Sequence, residues 1–255
     1  MATRQPQEPE EHRLKPMFEQ IDSQPTDIGE ITLRRRRIPD LTSNDIYEIK
    51  LDEEFLMSSL FVTAEEALAD LGIQAATGDR LKVVVGGLGL GHTTATALQS
   101  DRVESLWVVE LLQPVIDWHR DEKVPLGAVF NQDARCRFVQ GSFFELAQGR
   151  PHGLVAELPP ASLDAILLDI DHSPGDVLFA SNSGFYEPQS LQAMARQLTP
   201  DGVFAMWSND PPDAAFQDLL TEVFQDVTPH TVRFYNPFMN AESSSTVYVA
   251  KGVRP

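Results

Sequence analysis

The hydrophobic pattern from about residue 61 onwards alternates between short apolar runs and longer stretches of helical composition. The apolar runs predict five strands: LKVVVG (81–86), SLWVVE (105–110), CRFVQG (136–141), LDAILLD (163–169) and GVFAMWS (202–208). Between them lie stretches that predict helices, among them HTTATALQS, QPVIDWHRD and YEPQSLQAMARQL. Apolar strands that alternate with helices form a parallel sheet covered on both faces. The pattern therefore predicts an α/β fold.

The alternation stops near the C-terminus. After the helical stretch PPDAAFQDLLTEVF, the strand-like runs HTVRFYNPF and SSSTVYVAKG follow each other with no helix between them. Consecutive strands without a crossover pair antiparallel, so we expect an antiparallel pair at one edge of the sheet. The resulting seven-stranded, Rossmann-like sheet resembles that of the class I methyltransferases.

Two segments precede this α/β region. Residues 1–26 are rich in Pro, Gln and Glu and poor in apolar residues, a composition that cannot offset the entropy cost of ordering. We predict a mobile tail there and expect removal of residues 1–24 to change thermal stability little. GEITLRRRRI and NDIYEIKLD predict two strands, joined by the turn formers of PDLTSN. Residues 27–60 are thus predicted to form a small N-terminal β-subdomain, and 61–255 a nucleoside-binding catalytic domain.

The first helix of the larger domain is predicted from TAEEALADLG. Thr63 and Glu66 have the spacing of a capping box, in which two side chains satisfy free backbone N–H groups at a helix start. Gly72 is the residue type that most often follows a helix C-terminus. The sequence therefore predicts a helix that starts at Thr63 and ends at Gly72.

Four glycines follow the first strand of this domain, in VVVGGLGLGHTTATAL (83–98). A strand, a glycine loop and a helix in that order present backbone N–H groups to a nucleotide. The G-x-G-x-x-G pattern of dinucleotide-binding proteins is not met, because a histidine occupies its third glycine position. Gly87, Gly89 and Gly91 instead give G-x-G-x-G, preceded by Gly86, which is typical of S-adenosylmethionine-binding folds. We predict that these glycines bind the nucleoside of such a cofactor.

Two later strand ends supply further candidates for the nucleoside. SLWVVE ends in Glu110, about 20 residues beyond the loop, where a carboxylate can bind both ribose hydroxyls. The next strand is followed by Gln140, Gly141 and Ser142, which offer side-chain or backbone acceptors to an adenine amino group. These four residues complete the predicted cofactor-binding set.

Two aspartates follow the fourth strand, in LDAILLDIDHSPG. Asp169 directly continues the apolar run AILL, so it lies at the carboxyl edge of the sheet, where ligands bind in open α/β folds. We predict that Asp169 is the catalytic residue, since the strand holds its backbone rigidly. Asp171 lies on the loop that follows and is the second catalytic candidate. It could bind a positive charge at the far end of an amine substrate.

Composition narrows the range of partners. Twenty Lys and Arg against 38 Asp and Glu give a net charge of −18, which disfavours nucleic acid and anionic membranes because both bind clustered positive charge. Cys136 is the only cysteine, so no internal disulfide can form and a reducing compartment fits. No apolar run approaches the roughly 20 residues of a spanning helix, and the N-terminus lacks a signal peptide's apolar core. We expect a cytoplasmic protein with a small-molecule partner and no metal.

In this order the pieces resemble the spermidine synthase family of aminopropyltransferases, over roughly residues 28–250. VVVGGLGLGH matches the family's glycine-rich loop, Glu110 its ribose-binding acid and Asp169 its catalytic aspartate. FYEPQSLQAMARQLTPDGVFAMWS matches the helix and strand that follow. The resemblance implies that decarboxylated S-adenosylmethionine donates an aminopropyl group to a small-molecule amine. It also implies a homodimer as a candidate assembly, since family members commonly dimerise.

The chain departs from the family pattern at four places. Gly89 stands at an Asp of the family's loop, Leu112 at a second acid after the ribose-binding one, and His172 at the second Asp of Asp-x-x-Asp-Pro. EEFLMSSLFVTAEEAL stands where the family has a Tyr-His-Glu cluster. Loss of the loop acid favours ordinary S-adenosylmethionine, whose carboxylate prefers N–H donors. Two alternatives therefore remain: a methyltransferase that acts on a small molecule, and a non-catalytic family member that binds a nucleoside.

Overall fold

Two β-sheets organise the chain, one of four strands and one of seven. The computed structural model describes residues 17–39, 41–42, 44–150 and 152–255. The first 16 residues of the predicted tail lie outside the described residues.

The N-terminal sheet consists of four antiparallel strands in chain order. They are β1 (Phe18–Thr26), β2 (Gly29–Arg36), β3 (Ile46–Leu51) and β4 (Glu54–Ser58). β2 and β3 are the two strands that the sequence predicts. The prediction of a mobile tail as far as residue 26 is wrong for β1, which pairs with β2 from Phe18 opposite Arg36 to Thr26 opposite Gly29. The side chains of β1 are exposed or only partly buried, so main-chain pairing contributes more to this strand than apolar burial does.

The large sheet has the strand order β10-β11-β9-β8-β5-β6-β7. Its strands are β5 (Leu81–Gly86), β6 (Val103–Glu110), β7 (Cys136–Gln140), β8 (Leu163–Leu168), β9 (Leu198–Ser208), β10 (Phe224–Asn236) and β11 (Ala241–Val253). β5 to β9 are parallel, whereas β11 pairs antiparallel with both β9 and β10. The predicted α/β class is therefore confirmed: a Rossmann-like, methyltransferase-type sheet of seven strands with a small N-terminal β-subdomain.

Helices cover both faces of the large sheet. They are α1 (Thr63–Ala75), α2 (His92–Leu98), α3 (Gln113–Arg120), α4 (Gly127–Gln132), α5 (Phe143–Ala147), α6 (Pro188–Ala195), α7 (Ala214–Val223) and a 3₁₀ helix (Ala180–Tyr186). Val83 and Val85 of β5 pack into the core on one face and Val84 into the core on the other, because successive side chains of a strand point to opposite faces. Among the described helices, none has both the length and the apolar character to cross a bilayer.

Helix α1 differs from its predicted boundaries. Its N-cap is Val62, which makes no side-chain capping bond, so the predicted capping box does not form at Thr63. The helix continues through Gly72 to Ala75. A Cβ at Gly72 would overlap the side chain of Leu167 in β8. The glycine therefore allows the helix to lie close against the sheet and does not end it.

A partly buried acid connects the N-terminal sheet to the helices of the larger domain. The Asp22 carboxylate of β1 accepts hydrogen bonds from Trp118 Nε1 of α3 and from Lys123 Nζ, both at 2.9 Å. The bonds from Lys123 and Trp118 lower the pKa of Asp22 to about 2, against a smaller opposing effect of burial. This contact fixes the N-terminal sheet to the helical layer beside the carboxyl edge of the large sheet.

Candidate active site

A cavity of about 320 Å³ lies between the carboxyl edge of the large sheet and the N-terminal sheet. Ligands of open α/β sheets bind at this edge, where the parallel strands end together. The lining includes five of the predicted site residues: Gly87, Gly89, Glu110, Ser142 and Asp169. The other five do not line it: Gly86, Gly91, Gln140, Gly141 and Asp171.

The glycine loop follows β5 and requires its glycines for two reasons. Gly87 has a φ of +92° and a Cβ there would overlap the backbone oxygen of Asp169, so only glycine lets the loop pass this closely over the end of β8. Gly86 and Gly91 lie behind the lining, where a Cβ would overlap phenylalanine rings that support the loop. The loop therefore presents bare backbone to the cavity, as the sequence predicts for a nucleoside site.

Gly89, at the centre of the loop, is held from two sides. Its carbonyl oxygen lies 2.9 Å from His119 Nε2, and burial lowers the pKa of His119 to about 4. The histidine is therefore neutral at physiological pH and donates its Nε2–H to the loop. On the other side, Met57 Sδ of β4 accepts from Leu90 N at 3.0 Å, and a Cβ at Gly89 would overlap that sulfur.

Glu110 ends β6 with its carboxylate held in place. Its Oε2 accepts from Leu88 N at 3.0 Å and its Oε1 from Leu112 N at 2.8 Å. Burial raises the pKa of Glu110, while these backbone N–H groups oppose that rise. The backbone N–H groups of Gly89 and Leu111 also stabilise the ionised carboxylate. The arrangement suits a ligand with two adjacent hydroxyl groups, as the ribose prediction requires.

The end of β7 contributes less to the cavity than the sequence predicts. Ser142 lines it and also caps α5, accepting from Glu145 N at 3.4 Å. Gln140 is exposed and donates its Nε2–H to the carbonyl of Leu111. Gly141 donates its backbone N–H to the carbonyl of Glu110 at 2.9 Å. Gln140 and Gly141 thus support the neighbouring strand end, and Ser142 is the member of the three that can contact a ligand.

Asp169 and Glu65 form a pair of carboxyl groups in the cavity. Asp169 follows β8 and accepts a hydrogen bond from Thr93 Oγ1 of α2 at 2.7 Å. Glu65 lies in the first turn of α1 and also lines the cavity. Burial raises the pKa of Asp169 to about 6, although the bond from Thr93 opposes it. Burial and the charge of Asp169 raise the pKa of Glu65 to about 8.

Two carboxyl groups with separated pKa values can hold one proton between them. Near neutral pH, Asp169 and Glu65 share about one proton, so the pair carries about one negative charge. A carboxylate that ionises near neutral pH can accept a proton from a nucleophile. Sequence reasoning missed Glu65 because two acids in the first turn of a helix ordinarily face solvent. The signal available was its position in the stretch where the resembling family carries an amine-site cluster.

Asp171 lies behind the cavity lining. It is 3% exposed, and its Oδ1 accepts from Leu178 N and Asn182 Nδ2, both at 2.8 Å. Its Oδ2 accepts from Tyr186 OH at 2.9 Å. The carboxylate of Asp171 therefore does not line the cavity, where the sequence predicts it, and its hydrogen bonds are made within its own loop. Instead, Asp171 holds together the loop of residues 171–186, which forms one wall of the cavity.

Five further polar side chains line the cavity: His92, His172, Ser181, Asn182 and Trp207. Burial lowers the pKa of His92, so this ring is neutral at physiological pH. His172 Nε2 lies 3.6 Å from Glu54 Oε1. Trp207 Nε1 is enclosed and has no hydrogen-bond partner among the described residues. Within the same part of the chain, no group of three or more His, Cys, Asp or Glu side chains is arranged to hold a metal ion.

Comparison with known proteins yields matches among solved structures. The sequence matches no protein-family model and no curated protein. The spermidine synthase from Thermotoga maritima is 20% identical over 92% of this chain and 74% of that chain, with a TM-score of 0.69. A spermidine synthase in complex with the transition-state analogue AdoDATO is 20% identical over 92% of this chain and 73% of that one, with a TM-score of 0.68.

A third solved structure agrees with the first two. The probable spermidine synthase from Corynebacterium glutamicum is 15% identical over 93% of this chain and 81% of that chain, with a TM-score of 0.60. In each case the likeness spans both the N-terminal sheet and the large sheet, since more than nine-tenths of the chain is covered. The chain therefore has the fold of the spermidine synthases.

Proposed function

We propose that this protein is a spermidine synthase-like transferase. It binds S-adenosylmethionine or the decarboxylated form in the cavity and transfers an aminopropyl group from the decarboxylated form to a small amine. The observation that carries the proposal is the meeting of the glycine loop, Glu110 and Asp169 in one cavity of a spermidine synthase fold.

The residues present fit the nucleoside of such a donor. Gly87 and Gly89 let the loop pass close to Asp169 and Met57 while its backbone still lines the cavity, and Glu110 presents a carboxylate to the ribose hydroxyls. One neighbour in the same fold binds the transition-state analogue AdoDATO, which supports a decarboxylated donor. Adenine is assigned to the side of the cavity near Ser142, and the reacting carbon to the side near Asp169.

The proposed reaction is an in-line displacement. The donor supplies a sulfonium whose neighbouring carbon is electrophilic. The acceptor's nitrogen forms a bond to that carbon, the carbon–sulfur bond breaks, and its electron pair stays on sulfur as a thioether nucleoside. Asp169 takes the proton that the amine loses, within the reach that a general base requires. Thr93 fixes the orientation of that carboxylate through its 2.7 Å hydrogen bond.

A methyltransferase is the second candidate, because of one observation at the loop. Gly89 lacks the acid that would pair with a donor's ammonium, and Met57 fills the neighbouring space. Ordinary S-adenosylmethionine carries a carboxylate, which loop N–H groups can bind without an acid nearby. The same displacement at the methyl carbon would then use Glu110 and Asp169 in the same roles.

Isothermal titration of the full chain with three nucleosides tests the proposal. We expect decarboxylated S-adenosylmethionine to bind more tightly than S-adenosylmethionine, and methylthioadenosine to appear as product when amines are added. Tighter binding of ordinary S-adenosylmethionine, with S-adenosylhomocysteine as product, would establish the methyltransferase instead. Tight nucleoside binding with no thioether product from either donor would favour the non-catalytic alternative.

A further inference from the structure

The N-terminal sheet contributes only apolar side chains to the cavity. Six residues of its strands and first turn line the cavity: Ile28, Ile31, Ile49, Leu51, Leu56 and Met57. Ile31, Ile49 and Leu51 are at most 5% exposed and form the base of this surface, whereas Ile28, Leu56 and Met57 are partly exposed and can contact a ligand. We call these six residues the apolar wall. A ligand group that faces it is desolvated by hydrocarbon.

The acids of this sheet are engaged away from the cavity. Glu48 is fully buried and pairs with Arg34 and Arg36, in each case at 2.7 Å. Asp22 pairs with Lys123 across the two sheets. Glu54 faces His172, does not line the cavity and leaves about half of its side chain in solvent. None of these carboxylates is available inside the cavity to a cationic ligand.

The acids that do line the cavity have other tasks. Among the described lining residues they are Glu65, Glu110 and Asp169. Glu110 is assigned to the ribose, and Glu65 and Asp169 together hold about one negative charge near neutral pH. In the proposed reaction, the pair uses that single negative charge to accept the proton that the reacting amine loses. Asp171, which the sequence predicts to bind a distal charge, already accepts three hydrogen bonds within its own loop and does not line the cavity.

We propose that the acceptor is a primary amine with a single basic nitrogen and an apolar body, and that diamines such as putrescine are poor acceptors. The inference rests on the proposed transferase function and specifies its substrate class. A second ammonium group at the far end of an acceptor would meet the apolar wall with no carboxylate beside it, and burying an unpaired charge is strongly unfavourable. An alkyl or aromatic body at that position would gain from burial instead.

A matched series of amines tests the inference on the full chain. Butylamine and pentylamine are compared with putrescine and cadaverine, which have the same chain lengths, and thioether nucleoside formation is measured with each donor. We expect kcat/KM to be at least tenfold higher for the monoamines and to rise about three- to fourfold per added methylene from propylamine to hexylamine. Equal or higher kcat/KM for the diamines overturns the inference while leaving the transferase function standing. No product from any amine refutes the proposed function, and this inference with it.

A charge placed in the wall gives a second, independent test. Leu56 of β4 is partly exposed and lines the cavity, whereas the preceding Phe55 is 44% exposed and does not. We expect L56D to raise the putrescine-to-butylamine ratio of kcat/KM at least tenfold. Two variants serve as controls and should leave the ratio near that of the wild type. L56N places a side chain of the same shape as aspartate, but uncharged, in the cavity. F55D places the charge outside the cavity. A folded L56D with an unchanged ratio, or an equal change in L56N, contradicts the role of the wall. If L56D does not fold, the wild-type amine series still decides.

Discussion

Glu110 lines the cavity, and each oxygen of its carboxylate accepts a hydrogen bond from a backbone N–H group. Replacing it with alanine removes two charge-assisted acceptors for the ribose, and we expect a loss of about 1.5–3 kcal/mol in nucleoside binding. Titration calorimetry measures the loss. Glu104 lies on the same strand, pairs with Arg80 and does not line the cavity, so E104Q is the matched control. Unchanged affinity in E110A would remove the ribose assignment.

Asp169 is the residue on which the proposed chemistry depends. Asn in its place can still accept from Thr93 but cannot take a proton, so we expect D169N to lose about 10²–10⁴ in turnover and to keep nucleoside affinity. Single-turnover kinetics and titration separate the two effects. D176N, at an exposed acid of the loop that follows, serves as control. Full turnover by D169N would show that another group removes the proton.

Glu65 gives a pH dependence of stability with a definite sign. Its folded pKa of about 8 lies above the unfolded value, so its contribution to stability is intact at low pH and is lost as pH rises towards and through 8. E65Q imitates the protonated form, and we expect it to be several kcal/mol more stable than the wild type at pH 8.5, since one pKa unit corresponds to about 1.4 kcal/mol, and equal at pH 4. Urea denaturation across this range measures the difference.

The neighbouring acid provides the control for that experiment. Glu66 follows Glu65 in the same helical turn but is exposed and does not line the cavity. E66Q should therefore follow the wild-type stability at both pH values. A stabilisation of E66Q as large as that of E65Q would mean that the acidic turn, and not the cavity pair, causes the effect.

The residues that sequence alone identifies are those at strand ends. Glu110 and Asp169 each follow an apolar strand of a parallel sheet, and that geometry carries both to one edge without any knowledge of side-chain packing. Glu65 and Met57 come from earlier elements whose placement over this edge depends on how the N-terminal sheet and α1 pack. No local pattern contains that information. Asp171 shows the converse, since its neighbourhood in sequence does not reveal that the loop folds back onto it.

Among the elements, the loop of residues 171–186 is held together by hydrogen bonds to the buried carboxylate of Asp171. D171A leaves the donors of Leu178, Asn182 and Tyr186 without acceptors, and we expect unfolding free energy to fall by about 2–4 kcal/mol. D171N keeps an oxygen for Leu178 and Asn182, so its loss should be smaller. Chemical denaturation measures the stability, and hydrogen exchange shows whether the loop opens. D176A, in the same loop, should have little effect; equal losses in the two alanine variants would contradict the role of Asp171.

Element boundaries were harder to predict than element types. The side chains of β7 are exposed or only partly buried, but β5, β6, β8 and β9 stand out because both of their faces are largely buried. β1 does not, since FEQIDSQPT has the composition of a tail and becomes a strand through pairing with β2. Gly72 misleads for a related reason: glycine is required both at helix ends and where a helix touches a sheet, and only the packing against Leu167 distinguishes the two.

For the molecule as a whole, Asp22 makes a charged contact between the N-terminal sheet and the helical layer of the larger domain. Its folded pKa of about 2 lies below the unfolded value, so it stabilises the protein above about pH 4 and loses this effect as pH falls towards 2. We expect D22N to lower unfolding free energy by about 0.5–1.5 kcal/mol at pH 7, a modest value because Lys123 is partly exposed. The difference from wild type should vanish near pH 2.

Lys123 has a second acidic neighbour that serves as control. Asp121 lies 3.8 Å away and is 60% exposed, so D121N should change stability by less than about 0.5 kcal/mol. Acid titration of the three proteins, followed by tryptophan fluorescence, measures the effects. A D22N protein as stable as the wild type at pH 7 would mean that apolar packing alone holds the N-terminal sheet in place.

Because Met57 contacts Gly89, the residue types that are tolerated at these two positions, 32 residues apart in sequence, depend on each other. An aspartate tolerates the left-handed backbone of position 89 better than most residues do, but its Cβ would overlap the sulfur of Met57. An acid at position 89 therefore requires the side chain at position 57 to move aside or to be replaced by a smaller one. The route without a clash shortens the methionine first and adds the acid second. Among relatives of this chain, an acid at position 89 should accompany a small side chain at position 57.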